Sequence, residues 1–417
     1  MSKKTFSIVS LGCFRNLYDS EIVAKRFLRK GFLLNPPVFT EEKYPRILII
    51  NTCGFIDKAK EESLEAIRQA IDLKKKAKIE KLFVFGCLIQ RYRGYLEKFF
   101  PQVDEWWGIE RFSKKFTSRQ ILSASCIGFL KICEGCLHKC SYCAIPLIKG
   151  SLISKPRDEV IKEVKFLEKR GVRELNIIGQ DITSWGKDLE RRPSLADLVR
   201  DILGATKNIR WIRLIYTHPR YFTSELIDLI ADEARICKYV DLPIQHISDR
   251  ILKLMNRTTT KSQIIRLIER IRTKIPGSVI RTSLIVGFPT EKEKEFGELL
   301  RFVKEIRFDR LGVFAYSREE QTPAAKLRQV HPSTKKRRFK ELMALQKDIA
   351  LKVNGRFIGK DVDVLVEEKN DDILIGRTQY DAPQVDGVVF LKKKDLRVGS
   401  FYRTKIVDAY EYDLVGE

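Results

Sequence analysis

Three short apolar runs in the first third of the chain each end in a cysteine, and no other feature narrows the possible folds as far. Residues 6–13 (FSIVSLGC), 46–53 (RILIINTC) and 81–87 (KLFVFGC) have strand length and β-branched or apolar content, and they close on Cys13, Cys53 and Cys87. Helix-like segments at 19–30 and 57–76 separate them, the second with Leu64, Ile67, Ala70 and Ile71 at helical spacing. Strands alternating with helices imply a parallel sheet covered on both faces. The cysteines lie 40 and 34 residues apart, one βα unit each. They are therefore expected together at the carboxyl edge of the sheet, where open α/β sheets place their ligands.

After a polar stretch at 111–125 a second βα series begins. Strands are predicted at 129–133, Glu174–Ile178, 211–216, 239–242, 278–285 and 310–314, with amphipathic helices at Arg157–Lys169, 195–203 and 260–274 between them. About six such repeats suggest a partial or complete parallel barrel with its site at the strand carboxyl ends. A charged helix at 334–353 leads into a β-rich tail from Val362, with turn signals at 369–371, 381–383 and 398–399. The tail reads as a small antiparallel β-barrel, OB-like in size. The fold class is thus α/β: an N-terminal parallel α/β domain (1–122), a central (βα) partial TIM-like barrel (123–345) and a small C-terminal β-barrel (346–417).

A chain of 417 residues with 44% hydrophobic content can bury two or three cores. No stretch approaches the roughly 20 apolar residues of a membrane span, and the first residues carry no cleavage signal, so a cytoplasmic location without membrane partners is expected. Nine cysteines in a reducing compartment point to metal ligation or redox chemistry rather than disulfides. The net charge of +24 suits a polyanionic partner such as RNA or a ribosome, and equally a Lys-rich solvated surface. Residues 351–417 hold 11 Lys+Arg against 13 Asp+Glu, a net of −2, so the excess lies upstream.

The densest chemical signal is Cys136-Leu-His-Lys-Cys140-Ser-Tyr-Cys143, directly after the strand predicted at 129–133. Three thiolates within eight residues suit three irons of a cubane cluster and leave the fourth iron open for a ligand. With Cys133 the run also reads C-x2-C-x3-C-x2-C, which would fit a zinc knuckle or closed structural site; inside a strand, Cys133 reads better as a buried small residue. His138 within the loop is the alternative fourth ligand.

At this triplet the sequence resembles the radical S-adenosylmethionine superfamily, and over almost its whole length it is similar to the methylthiotransferases of that superfamily. SLGCFRNLYDSE, NTCGFIDKAKEES and VFGC carry the likeness at the N-terminus. DLPIQHISDRILKLMNR, FDRLGVFAYSREEQTPAA, YDAPQVDGVVF and DAYEYDLVGE bring it closest to the group that modifies a small-subunit ribosomal protein. The resemblance implies two 4Fe–4S clusters, one on Cys136, Cys140 and Cys143 and an auxiliary one on Cys13, Cys53 and Cys87. It also implies S-adenosylmethionine at the open iron and a C-terminal TRAM module. Some positions depart from the family pattern. Phe14 and Arg15 replace the usual Pro-Lys, Ile153-Ser154-Lys155-Pro156 replaces Arg-Ser-Arg-Pro, and Thr290 and Gln321 stand where glycine is usual. Lysine cannot form the planar fork of arginine, so Lys155 is a weaker clamp for a cofactor.

Putting sulfur on an unactivated carbon is beyond side-chain acids and bases, so a cofactor has to supply the chemistry. The resemblance implies that reductive cleavage of S-adenosylmethionine removes the hydrogen, that a second S-adenosylmethionine provides the methyl group, and that sulfur arrives at the auxiliary cluster. The product would be a methylthiolated aspartate β-carbon in a basic small-subunit ribosomal protein, free or within the ribosome, with a low-potential donor such as flavodoxin or ferredoxin supplying electrons. Tyr142, Lys155, Gln180, Asp181, Gln245 and His246 are the candidate cofactor contacts. Against these stand a packing aromatic for Tyr142 and a helix N-cap or turn for Gln180 and Asp181. No protein group is assigned a catalytic role. A tRNA-adenosine methylthiotransferase is the alternative, and the acidic balance of the tail favours a basic protein over RNA. A non-enzymatic iron–sulfur or RNA-binding protein would need neither a barrel nor an unligated iron.

Overall fold

The computed structural model describes residues 4–36, 44–110, 112–370, 373–392 and 395–417. The first residue of the polar stretch at 111–125 and the last of the turn at 369–371 lie outside the described residues. The chain opens with β1 (Thr5–Ser10), α1 (Phe14–Arg29), β2 (Leu33–Leu34), β3 (Ile47–Thr52), α2 (Asp57–Lys75), β4 (Lys81–Gly86), α3 (Cys87–Phe99) and β5 (Glu105–Trp106). The five strands form one parallel sheet in the order β2-β1-β3-β4-β5. Every residue of β3 is buried because helices cover both faces. Leu48, Ile50, Leu82 and Val84 pack with Ile67 of α2 on one side, and Phe6, Ile8 and Ile49 pack with Val23 and Phe27 of α1 on the other. Each such side chain contributes about 1.5–3 kcal/mol on burial. The helix predicted at 19–30 begins earlier, at Phe14, because Cys13 at the sheet edge is already its N-cap. Asp19, the first residue of the segment expected, is buried inside the helix.

The second unit holds β6 (Ile127–Lys131), β7 (Cys133–Glu134), α4 (Ile145–Lys149), β8 (Ile153–Ser154), α5 (Arg157–Lys169), β9 (Glu174–Ile178), α6 (Leu195–Ala205) and β10 (Trp211–Leu214). It continues through α7 (Ser224–Asp232), β11 (Tyr239–Asp241), α8 (Asp249–Leu254), α9 (Lys261–Lys274), β12 (Val279–Val286), α10 (Glu293–Ile306) and β13 (Arg310–Ala315). Two parallel three-stranded sheets, β6-β9-β10 and β11-β12-β13, meet at an Ile212–Ile236 bridge. Among the described residues β6 does not pair with β13, so the barrel is partial. The strand predicted at 129–133 divides: Cys133 belongs to β7, which pairs antiparallel with β8. Helix α1 lies against β6, with Phe14 stacked on Phe129 at 4.5 Å. Buried ions fasten this contact. Lys131 binds Asp19 and, at 2.7 Å, Glu134, while Arg119 joins Glu21 (2.6 Å) to Glu163.

Helix α11 (Pro332–Asn354) leads to a closed barrel of β14 (Asp361–Asn370), β15 (Ile373–Thr378), β16 (Val389–Leu391), β17 (Phe401–Ala409) and β18 (Leu414–Gly416). One of its pairs, β16 with β18, is parallel, unlike the wholly antiparallel barrel expected. Its segment 377–386 enters the amino ends of the larger barrel's strands. Arg377 binds Glu174 of β9 at 2.5 Å, Asp381 binds Arg310 of β13 at 2.6 Å, and Asp386 accepts from Tyr239 of β11 at 2.6 Å. No helix among the described residues is long and apolar enough to cross a membrane.

Candidate active site

At the opposite, carboxyl end of the barrel strands lies a cavity of about 330 Å³. The triplet loop supplies Cys136, Cys140 and Cys143, and the loops after β9, β10 and β11 supply Gln180, Tyr216 and Gln245. Phe314 and Tyr316 come from the end of β13, and the N-terminal domain contributes Arg15, Phe55 and Ile56. The cavity therefore belongs to both domains.

The triplet loop is tied down by backbone contacts. Cys136 N–H donates to Gly150 O (3.2 Å), Cys143 N–H to Cys140 O (3.1 Å), and Ser141 Oγ to Leu254 O of α8 (2.7 Å). All three thiols remain partly exposed, which suits metal ligands facing a cavity. Burial pushes the Cys143 thiol up to about 12 and that of Cys136 to about 11, so in the free protein both are neutral and metal binding would release their protons. Cys133 is fully buried behind the loop, with Sγ 3.7 Å from Asp181 O, and does not line the cavity. His138 gives its Nε2 to Asp181 Oδ2 at 2.7 Å and stacks on His218 at 3.8 Å.

The candidate cofactor contacts divide. Tyr142 lines the cavity, its hydroxyl 3.5 Å from Arg257 Nη1. Gln180 lines it too: its Nε2 donates to Glu134 at 2.5 Å, and its buried Oε1 has no partner, an acceptor free for a bound amino or hydroxyl group. Asp181 lines the cavity but also caps the 3-10 turn Ile182–Ser184, accepting from Thr183 N (2.9 Å) and Ser184 Oγ (2.5 Å). Gln245 reaches the cavity from a left-handed backbone position, φ +71°. That turn sends the next residue the other way. His246 is buried in the core, takes the Ser248 N–H on Nδ1 at 3.0 Å and does not line the cavity. Lys155 does not line it either; its ammonium is committed to Glu163 and, at 3.1 Å, to the Tyr18 hydroxyl.

Cys13, Cys53 and Cys87 follow the carboxyl ends of β1, β3 and β4. Gly12 has φ +88°, and a Cβ there would stand 2.9 Å from Cys53 Sγ. Asn16 ties the three loops together: its Nδ2 donates to Leu11 O (2.8 Å) and Thr52 O (3.1 Å), and its Oδ1 lies 3.7 Å from Cys87 Sγ. Cys87 packs on Ala144 and Ile148, beside the triplet. Burial pushes the Cys87 thiol up to about 12, whereas burial of Cys13 is outweighed by the adjacent Arg15 guanidinium, which lowers it. Among the described residues no three His, Cys, Asp or Glu side chains converge on a single ion. A cubane asks for something else, since each thiolate binds a different iron. Cys136, Cys140 and Cys143, on one loop beside the cavity, fit that donor pattern, and Cys13, Cys53 and Cys87 supply a second set of three neighbouring thiols at the sheet edge.

Sequence reasoning noticed Arg15 only as a departure and passed over Asn16, Arg257 and His218. Arg257 lines the cavity, donating to Pro243 O at 2.7 Å while its buried Nε has no partner. His218 lines it with a buried, unpartnered Nε2. Arginine or histidine just beyond a strand or helix carboxyl end was the available signal.

Three family models match: the Radical SAM superfamily over 130–303, the TRAM domain over 358–417, and Uncharacterized protein family UPF0004 over 5–108. With the cysteine-lined barrel mouth they define a transferase of the radical S-adenosylmethionine class, whose members use an iron–sulfur cluster and S-adenosylmethionine. Two curated relatives are both described as ribosomal protein uS12 methylthiotransferase RimO. The one from Geobacter sulfurreducens is 42% identical, covering 100% of this chain and 99% of its own, and that from Phocaeicola vulgatus is 41% identical over 99% of each. The chain belongs to the RimO methylthiotransferase family. In fold it is similar to the radical S-adenosylmethionine methyltransferase TsrM from Kitasatospora setae, with TM-score 0.55 and 14% identity over 77% of each chain.

Proposed function

We propose that this protein is the radical S-adenosylmethionine methylthiotransferase that adds a methylthio group to the β-carbon of an aspartate in ribosomal protein uS12. One observation carries the reading: a cavity bordered by one cysteine trio is shared with the domain that holds a second trio, in a chain aligned end to end with RimO relatives. In this reading Cys136, Cys140 and Cys143 hold the cluster that binds S-adenosylmethionine, and Cys13, Cys53 and Cys87 hold an auxiliary 4Fe–4S cluster. When bound, these groups supply homolytic C–H cleavage and a source of sulfur. The protein's part is binding, orientation and exclusion of water. Tyr142, Gln180 and Arg257 border the triplet and would position the cofactor, together with Gln245 on the loop after β11. The buried acceptor of Gln180 suits the cofactor's amino or ribose hydroxyl groups, and the partner-free Nε of Arg257 suits its carboxylate. Asp181 keeps His138 in place. A low-potential donor of the flavodoxin or ferredoxin kind, in the cytoplasm, would deliver electrons.

The test is mass spectrometry of ribosomal proteins and tRNA nucleosides from cells lacking the protein. Loss of the methylthio group from uS12 with tRNA unchanged is expected. Loss from a tRNA adenosine with uS12 unchanged would replace this substrate by the nucleic-acid one.

A further inference from the structure

We propose that Arg15 is the residue that selects an acidic side chain, its guanidinium taking the carboxylate of the target aspartate and so holding the β-carbon between the two cysteine trios. This rests on the uS12 reading above and names the group that recognises the reacting residue.

Position comes first. Arg15 is fixed at three points: Nε donates to Cys13 Sγ (3.3 Å), Nη1 donates to Gly179 O (3.2 Å), and the guanidinium lies over the Tyr216 ring at 4.6 Å. The same side chain lines the cavity with Cys136, Cys140 and Cys143. Its Nη2 makes no hydrogen bond to a described residue. Arg15 is thus a preorganised donor facing a cavity from the side of Cys13, Cys53 and Cys87.

Charge comes next. A carboxylate leaving water for an enclosed site needs a cation with matching geometry, and the guanidinium fork provides two donors on one face. Among the described residues, the arginines lining the cavity are Arg15 and Arg257. Arg257 lies on the triplet's side, bound to Pro243 O and near the Tyr142 hydroxyl, where the cofactor belongs. His138 is taken by Asp181, and burial holds His218 far below the ordinary imidazole range, so it is neutral. The lining carboxylates are already engaged, Asp181 with His138, Thr183 and Ser184, and Glu319 with Lys60 and Arg91. Arg15 remains as the charge available to a substrate. An aspartate β-carbon is one bond from its carboxylate carbon, so clamping the carboxylate on a residue that touches Cys13 sets that carbon near both trios at once. A neutral base has no use for such a clamp.

The experiment measures binding to the reconstituted protein with S-adenosylmethionine, using labelled uS12 and a uS12 variant with its target aspartate changed to asparagine. Wild type should bind the aspartate form at least tenfold more tightly. Arg15→Gln should bring that ratio close to one by weakening only the aspartate form, and Arg15→Lys should give an intermediate ratio. A ratio unchanged in Arg15→Gln, or an equal loss for both forms, overturns the assignment. Should Arg15→Gln not retain its iron, the ratio is read on Arg15→Lys, where an unchanged value overturns it. A wild type with no affinity for uS12 overturns the substrate reading instead, and so the two failures are told apart.

Discussion

At the scale of single residues, backbone conformation and burial decide what each motif position can do. Gly12 is the clearest instance, since its φ of +88° and the 2.9 Å approach to Cys53 leave no room for a side chain. On the two-cluster reading proposed above, Gly12→Ala should lose most of the auxiliary iron while keeping that of the triplet; iron and sulfide analysis against wild type would then show loading cut by about half. His246 makes a different prediction. Burial holds its imidazole down to about 3 from an ordinary 6.5. Between those pH values the unfolded chain binds a proton that the native one does not, so stability is lost as pH falls below about 6.5, by up to about 1.4 kcal/mol per pH unit. His246→Asn, whose Oδ1 can accept the Ser248 N–H in place of Nδ1, should flatten the difference in urea midpoint between pH 7.5 and 5.5. That Cys13, Cys53 and Cys87 follow the ends of three parallel strands was legible in the sequence, and so was the position of Cys136, Cys140 and Cys143 on a loop after a strand. The placement of Lys155 and His246 was not, because Lys155 is drawn away from the cavity partly by Tyr18, 137 residues off in sequence, and His246 is turned into the core by the left-handed backbone at Gln245. Thr290 and Gln321, read as standing at glycine positions, both have φ +66°, so there the sequence did reveal the backbone.

Among the elements, strands read well where apolar runs were flanked by turns: β9 and α5 fall at their expected limits. Helix α3 went unread because it starts on Cys87, directly after β4, with no polar cap to announce it. The short β7–β8 pair was hidden for a similar reason, as two-residue strands carry no periodicity. Between elements, Glu319 is the hub that joins α2 and α3 to the loop after β13. It accepts from Lys60 at 2.8 Å, Arg91 at 2.6 Å and Ser317 at 2.9 Å, and its own side chain is 3% exposed. Glu319→Gln leaves Arg91 buried without its counter-charge and should cost about 3 kcal/mol. Chemical denaturation would record this as an earlier transition, and limited proteolysis as faster cleavage between 108 and 127.

For the whole molecule, the C-terminal barrel is part of the catalytic scaffold. Asp381 meets Arg310 at 2.6 Å, with both side chains at most 5% exposed, and Arg377 meets Glu174 across the same contact. Asp381→Ala should cost about 3–5 kcal/mol by stranding Arg310, and calorimetry should show a lower melting temperature for the large barrel as well as for the small one. The charge balance of this module was legible in its sequence; its role as a stopper was not, because the pairing partners lie at the amino ends of strands 71 to 203 residues upstream. That stopper has a kinetic corollary. With the barrel's base closed by 377–386 and its interior filled by Phe129, Trp211 and Tyr239, small molecules have to come and go by the rim on which a ribosomal protein would sit. Turnover would then follow a fixed queue, with the sulfonium cofactor first, the large guest second, and spent nucleoside leaving only after that guest has lifted off.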